Sequence, residues 1–306
     1  MIHAVSDNPA YARLLAAIDE ALECLSGKRF SDKHVHAARK AVKKARAALR
    51  LLRPAMTETA YRKENAALRD AGRTLSPLRD AKSLLDTFDA FVSRYAAELR
   101  GVELARLHRW LLARRTLARR ELIKVPGNLR QFVDSLEGCR KRMRQSQLAR
   151  AEPATAMGGL RRIYRKGRKA FARAKSLPRT RFGNAHSSKT LHEWRKQVKY
   201  LVNGVAALRC SDARPRIEFG AGCSHKLAKR ADRVAAWLGD DHDLAMLHEA
   251  VRDSAIENGA VTIICGLIAR RRAKLQARAF DRGHKLFARK PKRFAPCTAA
   301  HANICR

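Results

Sequence analysis

The sequence lacks several features that would each point to a particular class of protein. Its 7 Cys residues form no CxxC pair, and their odd number suits reduced thiols in a cytosol better than a disulfide framework. Aromatic residues make up only 6% of the chain, so platforms for stacking nucleic-acid bases are sparse. The chain has neither an uncharged segment of about 18 residues nor the N-terminal pattern of a signal peptide. These absences predict a soluble cytoplasmic protein with no metal site, no cofactor and no membrane insertion.

Strand-like alternation of β-branched residues is also absent, whereas Ala, Leu, Arg, Lys and Glu dominate and Gly and Pro are confined to a few places. This pattern predicts an all-α fold. A break around residues 150–158 predicts a first half, 1–150, and a second half, 151–306, that ends in a divergent tail. The predicted helices cover roughly residues 9–26, 32–53, 57–72, 77–100, 103–122, 128–148, 158–176, 186–210, 215–238, 240–257 and 260–280.

Acidic residues are scarce. Asp and Glu number 28 against 66 Lys and Arg, which gives a formal net charge of +38. Self-repulsion of this size destabilises a compact state unless anions screen it, so a polyanionic partner is the leading expectation. Nucleic acid, an anionic membrane surface and inorganic polyphosphate all qualify.

Two segments carry the same cluster of basic residues. In HAARKAVKK (36–44) and HEWRKQVKY (192–200), one His, one Arg and two Lys recur at i, i+3, i+4 and i+7, with an offset of 156 residues. At this spacing the four side chains share one helix face, beside an apolar stripe. One such stripe alone is most often a solvated face, but its duplication favours a shared ligand. We predict two helical bundles of about four core helices each, related by a pseudo-two-fold axis around a basic central cleft.

A second element is also duplicated. LSPLRDAKSLL (75–85) aligns with LGDDHDLAMLH (238–248) at an offset of 163, which pairs Asp80 with Asp243. These aspartates are predicted to cap a helix or to accept hydrogen bonds from basic residues of the neighbouring charged helix. Arg79 and His242 stand at corresponding positions and are expected to reach the same cleft.

The chain resembles the CHAD family, the conserved histidine α-helical domain whose members bind inorganic polyphosphate. The resemblance extends over nearly the whole chain and lies in five segments in the right order, HAARKAVKKARAALRLLRP, LSPLRDAKSLLDTF, LRRIYRKGRKAFARA, LHEWRKQVKYL and LGDDHDLAML. It implies two helical bundles around a basic cavity that accommodates polyphosphate, and an association with polyphosphate granules. The last ten residues, CTAAHANICR, match no family pattern.

The resemblance also implies which residues bind the ligand. They are the two basic clusters with their helix neighbours, Arg79, and the basic helix that opens the second half. In full, the predicted polyphosphate-binding residues are His36, Arg39, Lys40, Lys43, Lys44, Arg46, Arg50, Arg79, Arg161, Arg162, Tyr164, Arg165, Arg168, Lys169, His192, Arg195, Lys196, Lys199 and Tyr200.

Polyphosphate explains this choice of residue types. Each internal phosphate carries about one negative charge and offers no base to read, so Arg forks and Lys ammonium groups are sufficient to bind it. Histidine can donate through a neutral N–H or become cationic beside clustered phosphates. We therefore expect the affinity to increase as the pH falls from about 8 to about 6 through His36 and His192.

Two other classes of function are compatible with parts of the sequence. A non-specific nucleic-acid-binding helical protein is the alternative, because charge alone serves any phosphate backbone and some binding to DNA at low salt is expected. An enzyme is disfavoured, because the ExExK strand motif of triphosphate-processing domains is missing and the only dense acidic group is DDHD at 240–243. No catalytic residues are predicted.

Overall fold

The protein folds into ten α-helices within the part of the chain that the structure describes. The structure is a computed structural model that describes residues 8–27, 30–124, 127–177, 185–209, 223–254 and 256–294. It contains no strand in these ranges, which confirms the predicted all-α fold. The helices are α1 Pro9–Glu23, α2 Asp32–Leu52, α3 Glu58–Thr74, α4 Ser76–Arg94, α5 Ala105–Lys124, α6 Asn128–Gln145, α7 Pro153–Lys175, α8 Ala185–Arg209, α9 Cys223–Arg252 and α10 Asn258–Leu286.

Several helix boundaries differ from those predicted: α4 ends at Arg94 rather than near residue 100, and α10 continues to Leu286 rather than to residue 280. In α7 and α9, a predicted helix limit lies next to a glycine that the structure places inside the helix. The two helices predicted on either side of residue 239 form the single helix α9, in which Gly239 is buried and leaves room for the Arg195 guanidinium. Helix α7 begins at Pro153 rather than at residue 158, because proline suits the first helical turn. Gly159 then lies inside α7, where a Cβ atom would stand 2.2 Å from the Leu51 carbonyl oxygen of α2. Both glycines allow close packing and do not end a helix.

Two clusters of buried apolar residues form the interior. The larger cluster contains residues from all ten helices, among them Leu49 of α2 and the fully buried Trp194 of α8. The smaller cluster is built from α4, α5, α9 and α10, with Phe88 and Leu247 at its centre. Both clusters therefore draw on helices from before and after residue 150. The predicted pseudo-two-fold relation between the halves, and their boundary near residue 150, stay predictions.

Side-chain hydrogen bonds and ion pairs connect the helices that surround the interior. Asn8 caps α1 through its side-chain oxygen, while its amide group donates to the main-chain carbonyls of Ala151 and Glu152 before α7. Asp32, in the first turn of α2, accepts hydrogen bonds from Arg115 and Arg119 of α5. These contacts connect the start of α1 to the segment before α7, and the basic helix α2 to α5. In the described ranges, no helix is both long and apolar enough to cross a membrane.

Candidate functional site

A cavity of about 690 Å³ opens between α2, α3, α7 and α8. Its walls carry ten cationic side chains and a single carboxylate, Glu193. It is larger than most gaps between packed helices and has the size of a small-molecule site. The cationic residues that line it are Arg39, Lys43, Arg46, Arg50, Arg53, Arg69, Arg73, Arg162, Lys166 and Lys196.

Neutral groups hold several of these cations in place without cancelling their charge. Arg50 donates to the Arg46 carbonyl at 2.7 Å and to Asn65 Oδ1 at 3.1 Å, and its guanidinium lies 3.7 Å from the centre of the Tyr200 ring. The guanidinium of Arg53 lies similarly over Tyr61, at 4.2 Å. Stacking of this kind orients a planar cation and restricts its rotamers. The charges are thus positioned before any ligand arrives.

Half of the cations in this larger cavity have no ion-pair partner among the described residues. Arg39, Arg53, Arg69, Arg73 and Lys196 are paired with carboxylates. Burial lowers the pKa of Arg46 and of Lys166, and neighbouring arginines add to both shifts. The Nε atoms of Arg46 and Arg162 are buried without a hydrogen-bond acceptor. Buried donors of this kind are costly unless an anion pairs with them. The unpaired cations are Lys43, Arg46, Arg50, Arg162 and Lys166.

A smaller cavity of about 310 Å³ adjoins the first and lies between α2, α4, α8 and α9. Arg39, Lys43 and His192 line both cavities. The other charged or imidazole-bearing residues of the smaller cavity are Arg79, Asp80, Arg195, His242 and Asp243.

The two duplicated elements meet in this smaller cavity. Arg39 of the first basic cluster donates to Asp80 Oδ1 at 3.0 Å, as the sequence predicted for that aspartate. Asp243 lies near Arg195 of the second cluster. The rings of His192 and His242 are 4.6 Å apart, centre to centre.

The pKa values of several ionisable groups in and beside the smaller cavity are shifted. Burial, reinforced by Arg39, Arg195 and Arg79, lowers the pKa of Lys43 to about 8. Burial and Arg195 lower the pKa of His242 to about 4, and the pKa values of His36 and His192 are lowered for similar reasons. Burial raises the pKa of the Asp243 carboxyl, although Arg195 opposes the shift. Every one of these shifts reduces charge in the free protein. The expected gain in affinity from pH 8 to pH 6 stays a prediction.

The structure brings ten of the nineteen predicted binding residues to the two cavities. Those in the larger cavity are Arg39, Lys43, Arg46, Arg50, Arg162, His192, Lys196 and Tyr200, and those in the smaller cavity include Arg79 and Arg195.

The other nine predicted residues lie outside both cavities. His36 accepts a hydrogen bond from Arg79 at 3.1 Å, and Lys44 pairs with Glu20 of α1. Tyr164 is buried and its hydroxyl donates to the Arg289 carbonyl, so α7 turns this residue toward the C-terminal segment. Arg161 and Arg168 donate to main-chain carbonyls of the same segment. The remaining four are exposed side chains, namely Lys40, Arg165, Lys169 and Lys199.

Sequence reasoning missed the contribution of α3 and part of that of α7. Arg69 and Arg73 lie four residues apart on one face of α3, and Lys166 lies four residues after Arg162 on α7. This i, i+4 spacing was the available signal, but neither pair is duplicated in the chain. Within the described residues, no group of three or more His, Cys, Asp or Glu is placed to hold a metal ion.

The fold and the cavity together define an all-α protein with a strongly cationic cavity. The chain belongs to the CHAD-domain family, whose model matches residues 10–252.

One solved structure shows the same fold. The chain is similar to PptA from Streptomyces chartreusis, with a TM-score of 0.59 and 16% sequence identity over 92% of this chain and 100% of that chain. Among the curated proteins, none matches the chain.

Proposed function

We propose that the protein binds inorganic polyphosphate in the larger cavity and does not hydrolyse it. The observation that carries this proposal is the set of ten cationic side chains around one cavity, five of them without an ion-pair partner in the described residues. A flexible chain of phosphates can enter such a volume and place one oxygen or more against each cation. Membership of the CHAD family supports the same ligand.

The lining of the larger cavity disfavours nucleic acid as the main ligand. Single-stranded nucleic acids are bound by aromatic faces that stack with the bases. The two tyrosines of the cavity, Tyr61 and Tyr200, each have one face covered by an arginine. The cavity therefore offers charge but few stacking surfaces, which suits a polyanion without bases. DNA is expected to bind weakly and to the outer surface at low salt.

The donor set of the larger cavity also favours binding over phosphoryl transfer. Enzymes of that kind use carboxylates that hold a divalent cation against the phosphates. The larger cavity has one carboxylate, Glu193, and Lys196 forms an ion pair with it. Retention of intact polyphosphate, and through it an association with polyphosphate granules in the cytoplasm, is the biological role that we propose.

A competition experiment with two charge-matched variants tests this function. Polyphosphate of medium chain length would compete with duplex DNA and heparin at about 0.15 M salt. In the cavity variant, Arg46→Gln is combined with Arg162→Gln. In the surface variant, Arg109→Gln is combined with Arg120→Gln, which removes two exposed cations of α5 outside both cavities.

We expect polyphosphate to outcompete both rivals on the wild type, and only the cavity variant to lose this preference. If both variants weaken polyphosphate binding equally, the ligand is held by diffuse surface charge and the proposal is wrong. Release of orthophosphate from polyphosphate by the purified wild type with Mg²⁺ would contradict the non-catalytic part of the proposal.

A further inference from the structure

The smaller cavity differs from the larger one in its chemistry. Four cations face two carboxylates there, which leaves a formal excess of two positive charges, whereas the larger cavity has ten cations and one carboxylate. The smaller cavity also contains two imidazole rings, those of His192 and His242. It therefore combines donors with acceptors, and the larger cavity offers mainly donors.

Hydrogen-bond acceptors such as carboxylates are unfavourable next to the internal phosphates of a polyphosphate chain. An internal phosphate is fully ionised at neutral pH and has no proton to donate, so a carboxylate such as Asp80 or Asp243 would repel it. A terminal phosphate carries a second ionisable oxygen, whose pKa is about 6 in phosphate monoesters. Such a group bears between one and two charges and can donate its hydroxyl proton in a hydrogen bond. Among the phosphates of the chain, only the terminal one can both accept hydrogen bonds from the cations and donate one to a carboxylate.

The geometry of the smaller cavity leaves donors free for such a group. The Arg195 Nε atom is buried and has no acceptor. Arg79 uses its Nε atom to donate to His36, at 3.1 Å, and it also lines the smaller cavity. Burial raises the pKa of the Asp243 carboxyl, which makes it a better acceptor for a hydroxyl proton. An arginine fork and a carboxylate in one enclosed space can bind a protonated phosphate from two sides.

The smaller cavity adjoins the larger one. Arg39, Lys43 and His192 line both, so a chain bound in the larger cavity lies against residues of the smaller one. A volume of about 310 Å³ holds only a short part of a chain, and most of it remains for water or for the next phosphate.

We propose that the smaller cavity is a subsite for the terminal phosphoryl group of the polyphosphate whose internal residues occupy the larger cavity. The inference rests on the proposed function. Binding then depends on chain ends as well as on chain charge, and one end of each bound chain is withdrawn from solution.

The test compares two forms of one ligand. Medium-chain polyphosphate with free ends is measured against the same chain with both terminal phosphates converted to alkyl esters, which lose the ionisable hydroxyl and its proton. The wild type is expected to bind the free-ended chain at least about tenfold more tightly, the effect of a charge-assisted hydrogen bond. Linear tripolyphosphate and cyclic trimetaphosphate give a second comparison, because the ring has no end.

Variants locate the effect in the smaller cavity. Arg195→Gln should abolish the preference for free ends, so that capped and free-ended chains bind with equal affinity. Met246→Glu should also abolish the preference for free ends, because a new carboxylate at this exposed residue of the smaller cavity would repel the chain end. This second variant tests the subsite even if Arg195→Gln fails to fold. Arg162→Gln in the larger cavity should weaken both ligands equally.

The outcomes separate the two proposals. Equal affinity of the wild type for capped and free-ended chains, with both weakened by Arg162→Gln, would overturn the subsite and leave the proposed function intact. Failure of Arg162→Gln to weaken either ligand would contradict the proposed function itself. A preference for free ends that survives both Arg195→Gln and Met246→Glu would place the end elsewhere and refute this subsite.

Discussion

At the scale of single residues, some arginines that suit the larger cavity for ligand binding lower the stability of the ligand-free protein. Arg46 and Arg162 each bury an Nε donor without an acceptor, and burial lowers the pKa of Arg46. A buried, uncompensated charge costs free energy in the folded state, and a ligand that pairs with it recovers that energy. Residues of this kind are a known source of conflict between stability and function.

We therefore expect Arg46→Gln combined with Arg162→Gln to raise the free energy of unfolding of the ligand-free protein by roughly 1 kcal/mol, because an uncharged amide is cheaper to bury. The same variant should gain less stability from added polyphosphate than the wild type. Urea denaturation with and without the ligand measures both effects. A variant that is less stable in the absence of ligand would show that the two arginines support the fold.

Lys43 gives the site a dependence on pH in the alkaline range. Its pKa is about 8 in the free protein, below its ordinary value, because of burial and the neighbouring arginines. A bound anion favours the charged form and raises this pKa, so binding takes up a proton above pH 8. The affinity should then fall as the pH rises from about 8 to about 9.5, by up to about tenfold per pH unit for one proton.

Arginine stays charged over this range. Lys43→Arg should therefore reduce the slope of log Kd against pH by about one proton, as measured by titration calorimetry at several pH values. The control is Lys40→Arg on the same helix, which alters an exposed lysine outside both cavities and should keep the wild-type slope. An unchanged slope in Lys43→Arg would exclude Lys43 as the source.

At the scale of elements, the crossing of α2 and α7 sets the width of the larger cavity. Arg46 lies on α2 and Arg162 lies on α7, so the distance between these helices controls how far apart two of the cavity-lining cations stand. The crossing is close because Gly159 has no side chain against the Leu51 carbonyl, where a Cβ atom would be only 2.2 Å away. A residue with a side chain at this position would keep the two helix backbones farther apart.

Gly159→Ala should force the two helices apart and lower the free energy of unfolding by about 1–3 kcal/mol or more. The preceding residue supplies the control, since a Cβ atom at Gly158 would meet Pro54 at an ordinary 3.8 Å. Gly158→Ala is expected to be neutral or to stabilise α7 by up to about 1 kcal/mol. Chemical denaturation distinguishes the two, and equal stability of both variants would mean that the crossing adapts without cost.

At the scale of the whole molecule, the net charge of +38 dominates the electrostatics. The 17 ion pairs within the described residues involve 15 of the 66 basic residues, and many of the pairs are partly exposed and contribute little. Repulsion among the remaining cations opposes folding, and it is screened by salt or by a bound polyanion.

We expect the melting temperature of the free protein to increase when the salt concentration is raised from about 0.01 M to about 0.15 M. Polyphosphate should raise it further at either concentration, because a ligand that binds only the folded state stabilises that state. Differential scanning fluorimetry measures both shifts. A melting temperature that falls with salt would mean that the attractive ion pairs outweigh the net repulsion.

The sequence by itself determined the helical class, the excess of positive charge and the two basic clusters, because periodicity and composition are local properties of the chain. It also predicted that Arg39, Lys43, Arg195 and Lys196, each on the polar side of an amphipathic helix, face a shared cleft, and all four line the two cavities. Periodicity shows which side chains share a face, but it does not show what that face meets in the folded protein.

Only the tertiary structure decided which charged faces surround a common volume. Packing of α2 and α7 directed Arg162 into the larger cavity and turned Tyr164 toward the C-terminal segment. It also brought α3, which carries no duplicated motif, into the wall of that cavity. Gly159 allowed α2 and α7 to approach closely, and Gly239 kept α9 continuous beside Arg195. The physical reason is that the close approach and relative rotation of packed helices depend on side-chain volumes at distant positions, which no local pattern encodes.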